Sequence, residues 1–293
     1  MRRRALLMGL PLAPVLARAE APLNVVASFS VLADMARRVS GDWATVTSLV
    51  PANMDAHAFQ PTAADSRALA GAAVFIENGL GLEGWISRLG AAAGFRGVRI
   101  VATAGVTPRM MRDGAVTSLD PHAWQDPRNG VLYVRAIAGG LAAADPARAG
   151  LYHANAARFG EEIARTDAWI VSRFAAIPEA RRRIITTHDA FGYYGARYGI
   201  TFLAAQGLSA DSEPSAKGIA ALIQQMRREK IRTVFLENMT DPRLAAMLAR
   251  EAGAALSGPL FSDALSAPDG PAPDYVSMLR HNTTLFERAL RPA

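Results

Sequence analysis

No cysteine occurs anywhere in the chain. Disulfides, thiolate zinc sites and a thiol for lipid attachment are therefore excluded. Lysine is nearly missing as well: among 32 basic residues only Lys217 and Lys230 are lysines. So strong an arginine bias reads as a compositional habit more than as a phosphate-binding face. Histidine is limited to five residues and aromatics to 7% of the chain. A cleft for an organic solute is normally lined with aromatics and a few charged clamps, which this composition does not favour. Nor is there an apolar run of the roughly 20 residues that a membrane-spanning helix needs.

What is present begins with a leader. Arg2, Arg3 and Arg4 precede an apolar stretch over residues 5–16, and Ala17-Arg18-Ala19 forms a small-x-small cleavage site. This pattern predicts a secretory signal peptide over residues 1–19 and a soluble periplasmic protein without a lipid anchor. The formal charge of +6 largely belongs to that leader: without its four arginines, 28 basic residues face 26 acidic ones. A nearly neutral mature chain gives no reason to expect nucleic acid as a partner.

The rest is organised around residues 145–178. Asp145-Pro146 has the form of a helix start, and Leu151, Tyr152, Phe159, Ile163, Ile170, Phe174 and Ile177 recur at steps of three, four and seven. Glu161 and Arg165 add an i,i+4 pair. A helix of roughly thirty residues would be about 45 Å long, enough to cross a small domain. Before it, strands are predicted at 23–28, 44–50, 73–76 and 98–101, with helices at 31–39, 63–70, 82–89 and 127–143. Thr62 and Asp65 supply a capping-box pair for the second of these helices, and residues 103–120 read as turn-rich. After it, strands at 183–187, 200–204, 233–237 and within 254–261 alternate with helices at 190–198, 215–229, 242–252 and 273–290, the second entered through Ser212, Glu213 and Pro214. The predicted fold is α/β, with two lobes, each a mainly parallel sheet flanked by helices, joined by one long rigid helix. The expected boundaries are 20–144 for the N-terminal lobe, 145–178 for the link and 179–293 for the C-terminal lobe.

Three of the five histidines fall in loops beyond the carboxyl ends of strands, where open α/β sheets present ligands. His57 lies in DAHAFQP, His122 in LDPHAWQDP and His188 in TTHDAF. Asp263, in FSDAL, adds a carboxylate at the end of the last strand. Two candidates per lobe place the site in the cleft. Neutral imidazoles with one carboxylate suit zinc or another late first-row cation, although a lone loop histidine is more often a surface or capping residue.

The chain resembles the zinc/manganese-binding solute-binding proteins of bacterial ABC importers. The resemblance is carried by SLVPANMDAHAFQPTAAD, NGLGLEGW, DPHAWQDPRNG, ITTHDAFGYYGARYGI, SEPSAKGIAALI, VFLEN, and FSDALS followed by GPAPDYVSMLRHN. It implies one metal between two lobes, held by His57, His122, His188 and Asp263, as a transported ligand rather than a resident cofactor. Zinc is the expected cargo and manganese the alternative. A membrane ABC permease is the expected partner and a periplasmic metallochaperone an optional one; the chain is expected to be a monomer and not an enzyme. Ala56 stands where the family usually has proline, and Gln125 where it usually has leucine. The histidine-rich loop of many zinc members is absent between His57 and His122, which weakens zinc. Histidine at 188, where manganese binders usually have glutamate, points back to it.

Other readings stay open at this stage. Three histidines are also the layout of a catalytic zinc site, but Asp263 fills the fourth position and no HExxH helix is present. His153 reads as a solvated helix residue and His281 as a packing or hydrogen-bonding one. Asp189 could cap the next helix or orient His188; Glu237 could orient a ligand imidazole or pair with an arginine. Trp85 and Trp124 read as core or cleft-wall aromatics.

Overall fold

Two four-stranded parallel sheets carry the molecule. In the first, β1 (Leu23–Phe29), β2 (Ala44–Val50), β3 (Val74–Glu77) and β4 (Val98–Val101) lie in the order β2-β1-β3-β4. An antiparallel hairpin, β5 (Met110–Asp113) and β6 (Val116–Leu119), follows. In the second sheet, β7 (Arg183–Thr186), β8 (Thr201–Ala204), β9 (Thr233–Glu237) and β10 (Ala255–Leu260) lie in the order β10-β9-β7-β8. Counted within its own sheet, each half reads second, first, third, fourth. The same winding is used twice without a repeat in the sequence. The computed structural model describes residues 21–113, 116–204 and 216–291. The leader at 1–19 and the helix entry at Ser212, Glu213 and Pro214 lie outside the described residues.

The first half adds α1 (Ser30–Ser40), α2 (Ala63–Ala70), α3 (Ile86–Ala93) and α4 (Pro127–Ala144). The predicted capping box is present: Thr62 Oγ1 accepts from Asp65 N at 3.3 Å, and Asp65 Oδ2 accepts from Thr62 N at 2.7 Å. Two expectations need correction. The helix expected at 82–89 runs from Ile86 to Ala93, because Gly79, Leu80 and Gly81 all hold positive φ and keep the preceding segment in turns. The turn-rich 103–120 stretch contains the β5–β6 hairpin.

The predicted spine is α5 (Ala149–Phe174), 26 residues or about 39 Å long. It is shorter than expected at both ends. Asp145 does not cap it; its Oδ2 accepts instead from Arg148 at 2.8 Å and from the Tyr152 hydroxyl at 2.7 Å, and a 3-10 turn over Pro146–Arg148 leads in. The predicted apolar face is the buried one, with Tyr152, Phe159, Ile163, Ile170 and Phe174 all inside. The Glu161–Arg165 pair forms at 3.8 Å on the exposed side.

The second half adds α6 (Gly192–Tyr198), α7 (Ala216–Glu229), α8 (Pro242–Ala252) and α9 (Tyr275–Leu290). α5 packs on α1 and α4 of the first half and on α6 and α9 of the second. Buried apolar residues from Val25 to Leu290 form one cluster running beneath both sheets. A smaller cluster, including Ile185, Leu222, Met226 and Leu248, lies under α7 and α8. Tyr275, the first residue of α9, is a main joint. Its hydroxyl donates to Trp124 O at 2.5 Å, its backbone N donates to Asp34 of α1 at 3.0 Å, and its ring covers Gly130, where a Cβ would lie 2.5 Å from the Tyr275 oxygen. Among the described residues no helix is long and apolar enough to cross a membrane.

Candidate metal centre

Parallel strands bring their carboxyl ends to one edge of the sheet, so loops far apart in sequence meet there. His188 lies two residues past β7 and Glu237 ends β9, the neighbouring strand. Asp263 lies three residues past β10, His57 in the loop after β2, and His122 three residues past β6. These loops face one another across the two halves. His57, His122, His188 and Asp263 each offer a donor atom, and the four atoms lie within 4.8 Å of one another.

The spacing is tight. His57 Nε2 is 3.2 Å from His122 Nε2 and 3.3 Å from Asp263 Oδ2. His188 Nε2 is 3.3 Å from the same oxygen, and His122 Nε2 is 3.7 Å from Asp263 Oδ1. Asp263, His122 and His188 are fully buried; the His57 side chain is 6% exposed and marks the solvent side. Asp263 Oδ1 has no hydrogen-bond partner among the described residues.

Each of these loops is held from behind. Asp55 Oδ1 accepts from His57 N at 2.7 Å, and Trp85 Nε1 donates to the Ala56 carbonyl at 2.8 Å. Asp120 Oδ1 accepts from His122 N at 3.0 Å and sits 2.8 Å from His122 Nδ1. Trp124 Nε1 and Gln125 Nε2 both donate to the Ser262 carbonyl, at 2.9 Å each, which fixes the residue before Asp263. Both tryptophans are thus core aromatics with a positioning duty. Glu237 Oε2 is 2.6 Å from His188 Nδ1, while Oε1 accepts from Thr187 N, Thr187 Oγ1 and His188 N. Of the two roles open to Glu237, it takes the imidazole. Carboxylates behind His122 and His188 leave each Nε2 facing the site, the arrangement by which metal-binding histidines are oriented.

The electrostatics agree. Burial pushes the His122 imidazole down, but Asp263 and Asp120 outweigh it and hold the ring above its usual range. Burial likewise lowers His188, and Glu237 with Asp263 raise it well above. Burial alone would raise Asp263, yet His122 and His188 hold it well below the carboxylate range. Without a metal, protons are favoured on His122 and His188; a divalent cation held there would take their place.

The remaining candidates lie apart. His153 is exposed on α5, and His281 Nε2 contacts the Pro259 carbonyl at 2.9 Å. Asp189 does not cap α6, whose N-cap is Phe191 without a side-chain bond. Sequence reasoning missed Asp120 and Arg109, whose NH1 donates to Asp120 Oδ2 at 3.0 Å. The Asp-x-His spacing of 120 and 122 was the available signal for the first; nothing local marks the second.

Residues 25–289 match the family described as zinc-uptake complex component A, periplasmic. The chain belongs to this family. It is 32% identical over 261 residues, covering 87% of this chain and 82% of that protein, to the iron-binding protein YfeA of Yersinia pestis. It is 30% identical over 280 residues, 93% of this chain and 91% of the other, to the manganese-binding lipoprotein MntA of Bacillus subtilis. Among solved structures it is similar to a Mn-bound periplasmic metal-binding protein from Candidatus Liberibacter asiaticus, with a TM-score of 0.82 and 30% identity over 91% of this chain and 99% of that one. The family's members are non-enzymatic substrate-binding components of metal ABC importers, which disposes of the hydrolase reading. The expectation of a chain without a lipid anchor parts from relatives that are lipoproteins by name.

Proposed function

We propose that this protein captures zinc in the periplasm at His57, His122, His188 and Asp263 and delivers it to a membrane ABC permease, with manganese as the alternative cargo. The observation that carries the reading is the donor set and its spacing. Three imidazole nitrogens and one carboxylate are a zinc-type set. A regular tetrahedron with bonds of about 2.0–2.1 Å has edges of about 3.3–3.4 Å. With Asp263 Oδ2 as the oxygen donor, three of the six donor pairs measure 3.2, 3.3 and 3.3 Å, and all four donor atoms lie within 4.8 Å of one another. Relatives named for iron and manganese weigh on the other side, and the nitrogen-rich set is the reason for preferring zinc here. In this reading residues 1–19 are removed on export, residues 20–144 and 179–293 are the two metal-binding lobes, 145–178 link them, and the chain acts as a monomer that a periplasmic metallochaperone can load.

Metal analysis of untagged protein, purified without added metal, tests it together with competition titrations of zinc against manganese and iron. One zinc per chain, lost when any two of the four ligands become alanine, is the expected result. Stoichiometric manganese or iron retained in preference to zinc would overturn the zinc assignment; no metal at all would overturn the site.

A further inference from the structure

Arg109 lies between β4 and β5, outside the four proposed ligands, and touches both halves of the molecule. Its NH1 donates to Asp120 Oδ2 at 3.0 Å, and the other oxygen of Asp120 faces His122 Nδ1 at 2.8 Å. Its backbone N donates to the Tyr193 hydroxyl at 3.0 Å, and its guanidinium stands 5.5 Å from the centre of the Tyr193 ring. Tyr193 belongs to α6, the helix that follows the His188 loop, and α6 also packs on the 3-10 turn at Ala123–Gln125.

Gly192 shows how closely this contact is fitted. A Cβ built there would lie 1.5 Å from Arg109 NH1 and 2.6 Å from Asp120 Oδ2. Its φ is not positive, so the backbone conformation does not call for glycine and the space does. The ion pair of the first half is seated against bare backbone of the second. The Arg109 side chain is 37% exposed, but that of Asp120 is only 2% exposed, and a buried carboxylate stripped of its cation is left with an uncompensated charge.

We propose that Arg109 is a positioning residue of the metal centre, which holds Asp120 in the orientation that aims His122 and joins the two ligand-bearing halves through Gly192 and Tyr193. This rests on the zinc reading above. It assigns Arg109 no contact with the metal; it acts through Asp120 and through the closeness of the halves.

The test is zinc affinity by chelator competition and zinc release by stopped flow, on the full mature chain. Arg109→Met is expected to weaken zinc binding roughly tenfold or more, within the range for losing an orienting partner, and to speed release. Arg109→Lys, which keeps the charge and loses the fork, recovers part of the loss. In an Asp120→Asn background, Arg109→Met adds little, because both act through one carboxylate. Millimolar ethylguanidinium is expected to restore affinity to Arg109→Ala and not to Asp120→Asn, a rescue that a merely structural arginine would not show. Gly192→Ala, which crowds the guanidinium and removes no charge, supplies the same reading if the arginine variants fold poorly, and is expected to weaken zinc as well. Arg109→Met within twofold of wild type, or losses that add in the double variant, would overturn the inference and leave the zinc site standing. A wild-type chain that does not bind zinc would overturn both.

Discussion

His188 Nδ1 and Glu237 Oε2 stand 2.6 Å apart, and both side chains are fully buried. Because the other Glu237 oxygen also gathers Thr187 N, Thr187 Oγ1 and His188 N, one carboxylate fixes both the ring and the backbone of a proposed ligand. Glu237→Gln keeps the shape and one acceptor but removes the charge that makes the imidazole a stronger donor. Zinc affinity is expected to fall tenfold to a hundredfold with the far-ultraviolet spectrum unchanged. An affinity equal to wild type would show that Glu237 supports the fold alone.

In the proposed site, protons and metal would compete for the same nitrogens. His122 and His188 are both held above the usual imidazole range, against burial, by Asp263 with Asp120 or Glu237. Metal-free protein therefore carries protons on these two rings above about pH 6.5, which a metal bound to them would have to displace. Calorimetry at pH 7 in two buffers of different ionisation enthalpy is expected to report proton release, with affinity still climbing above pH 6.5. A raised folded-state pKa also gives stability that is full below the unfolded value and lost as pH rises through the folded one. The metal-free protein should thus melt lower as pH climbs past about 6.5, and the zinc form much less so. No proton release at pH 7 would contradict this.

Metal choice is testable at residue 188. His188→Glu gives two imidazoles and two carboxylates, a harder set whose added carboxylate can bind through both oxygens. Zinc stays the tighter ligand in absolute terms, since manganese is lowest in the general affinity order. The ratio of zinc to manganese affinity is expected to fall about tenfold, or about 1.4 kcal/mol. A constant ratio would assign selectivity to cavity shape.

Glu83 offers a stability measurement away from the metal. Burial pushes its carboxyl up to about 7, despite bonds from Ser28 Oγ at 2.7 Å and Asn78 N at 2.6 Å. The neutral form is favoured in the fold, so its contribution is full below about pH 4.5 and lost as pH rises through 7. At about 1.4 kcal/mol per pH decade the loss is about 3 kcal/mol. Urea unfolding of metal-free Glu83→Gln at pH 5 and pH 8 should show a smaller difference than wild type; an equal difference would place the slope elsewhere.

The alternation of strand and helix was legible because apolar period and turn residues agree locally: 98–101, 233–237 and 242–252 match β4, β9 and α8 end for end. The hairpin was not, since Met110–Asp113 (MMRD) has no β-branched residue and the proline, glycine and aspartate around it read as turns. Three histidines and an aspartate at strand ends were visible as candidates because chain order places them at sheet edges. What orients them was not, because Arg109 meets Asp120 only through the β5–β6 pairing and Tyr193 reaches Arg109 only when the two halves pack. Glu237 could be named but not assigned, for its partner is set by strand adjacency between β7 and β9.

The single apolar core beneath both sheets has a mechanical consequence. Rotating one half on the other would have to lift Tyr275 off Gly130 and break its bonds to Trp124 and Asp34, exposing buried surface to water. Compliance is therefore confined to the rim, where Asn238 Nδ2 reaches Asn53 Oδ1 at 2.9 Å. Small-angle scattering of metal-free and zinc-loaded protein should give superimposable profiles. With three donors fully buried and the fourth 6% exposed, entry and extraction alike then fall to movements of single loops at the rim, over halves that share one core.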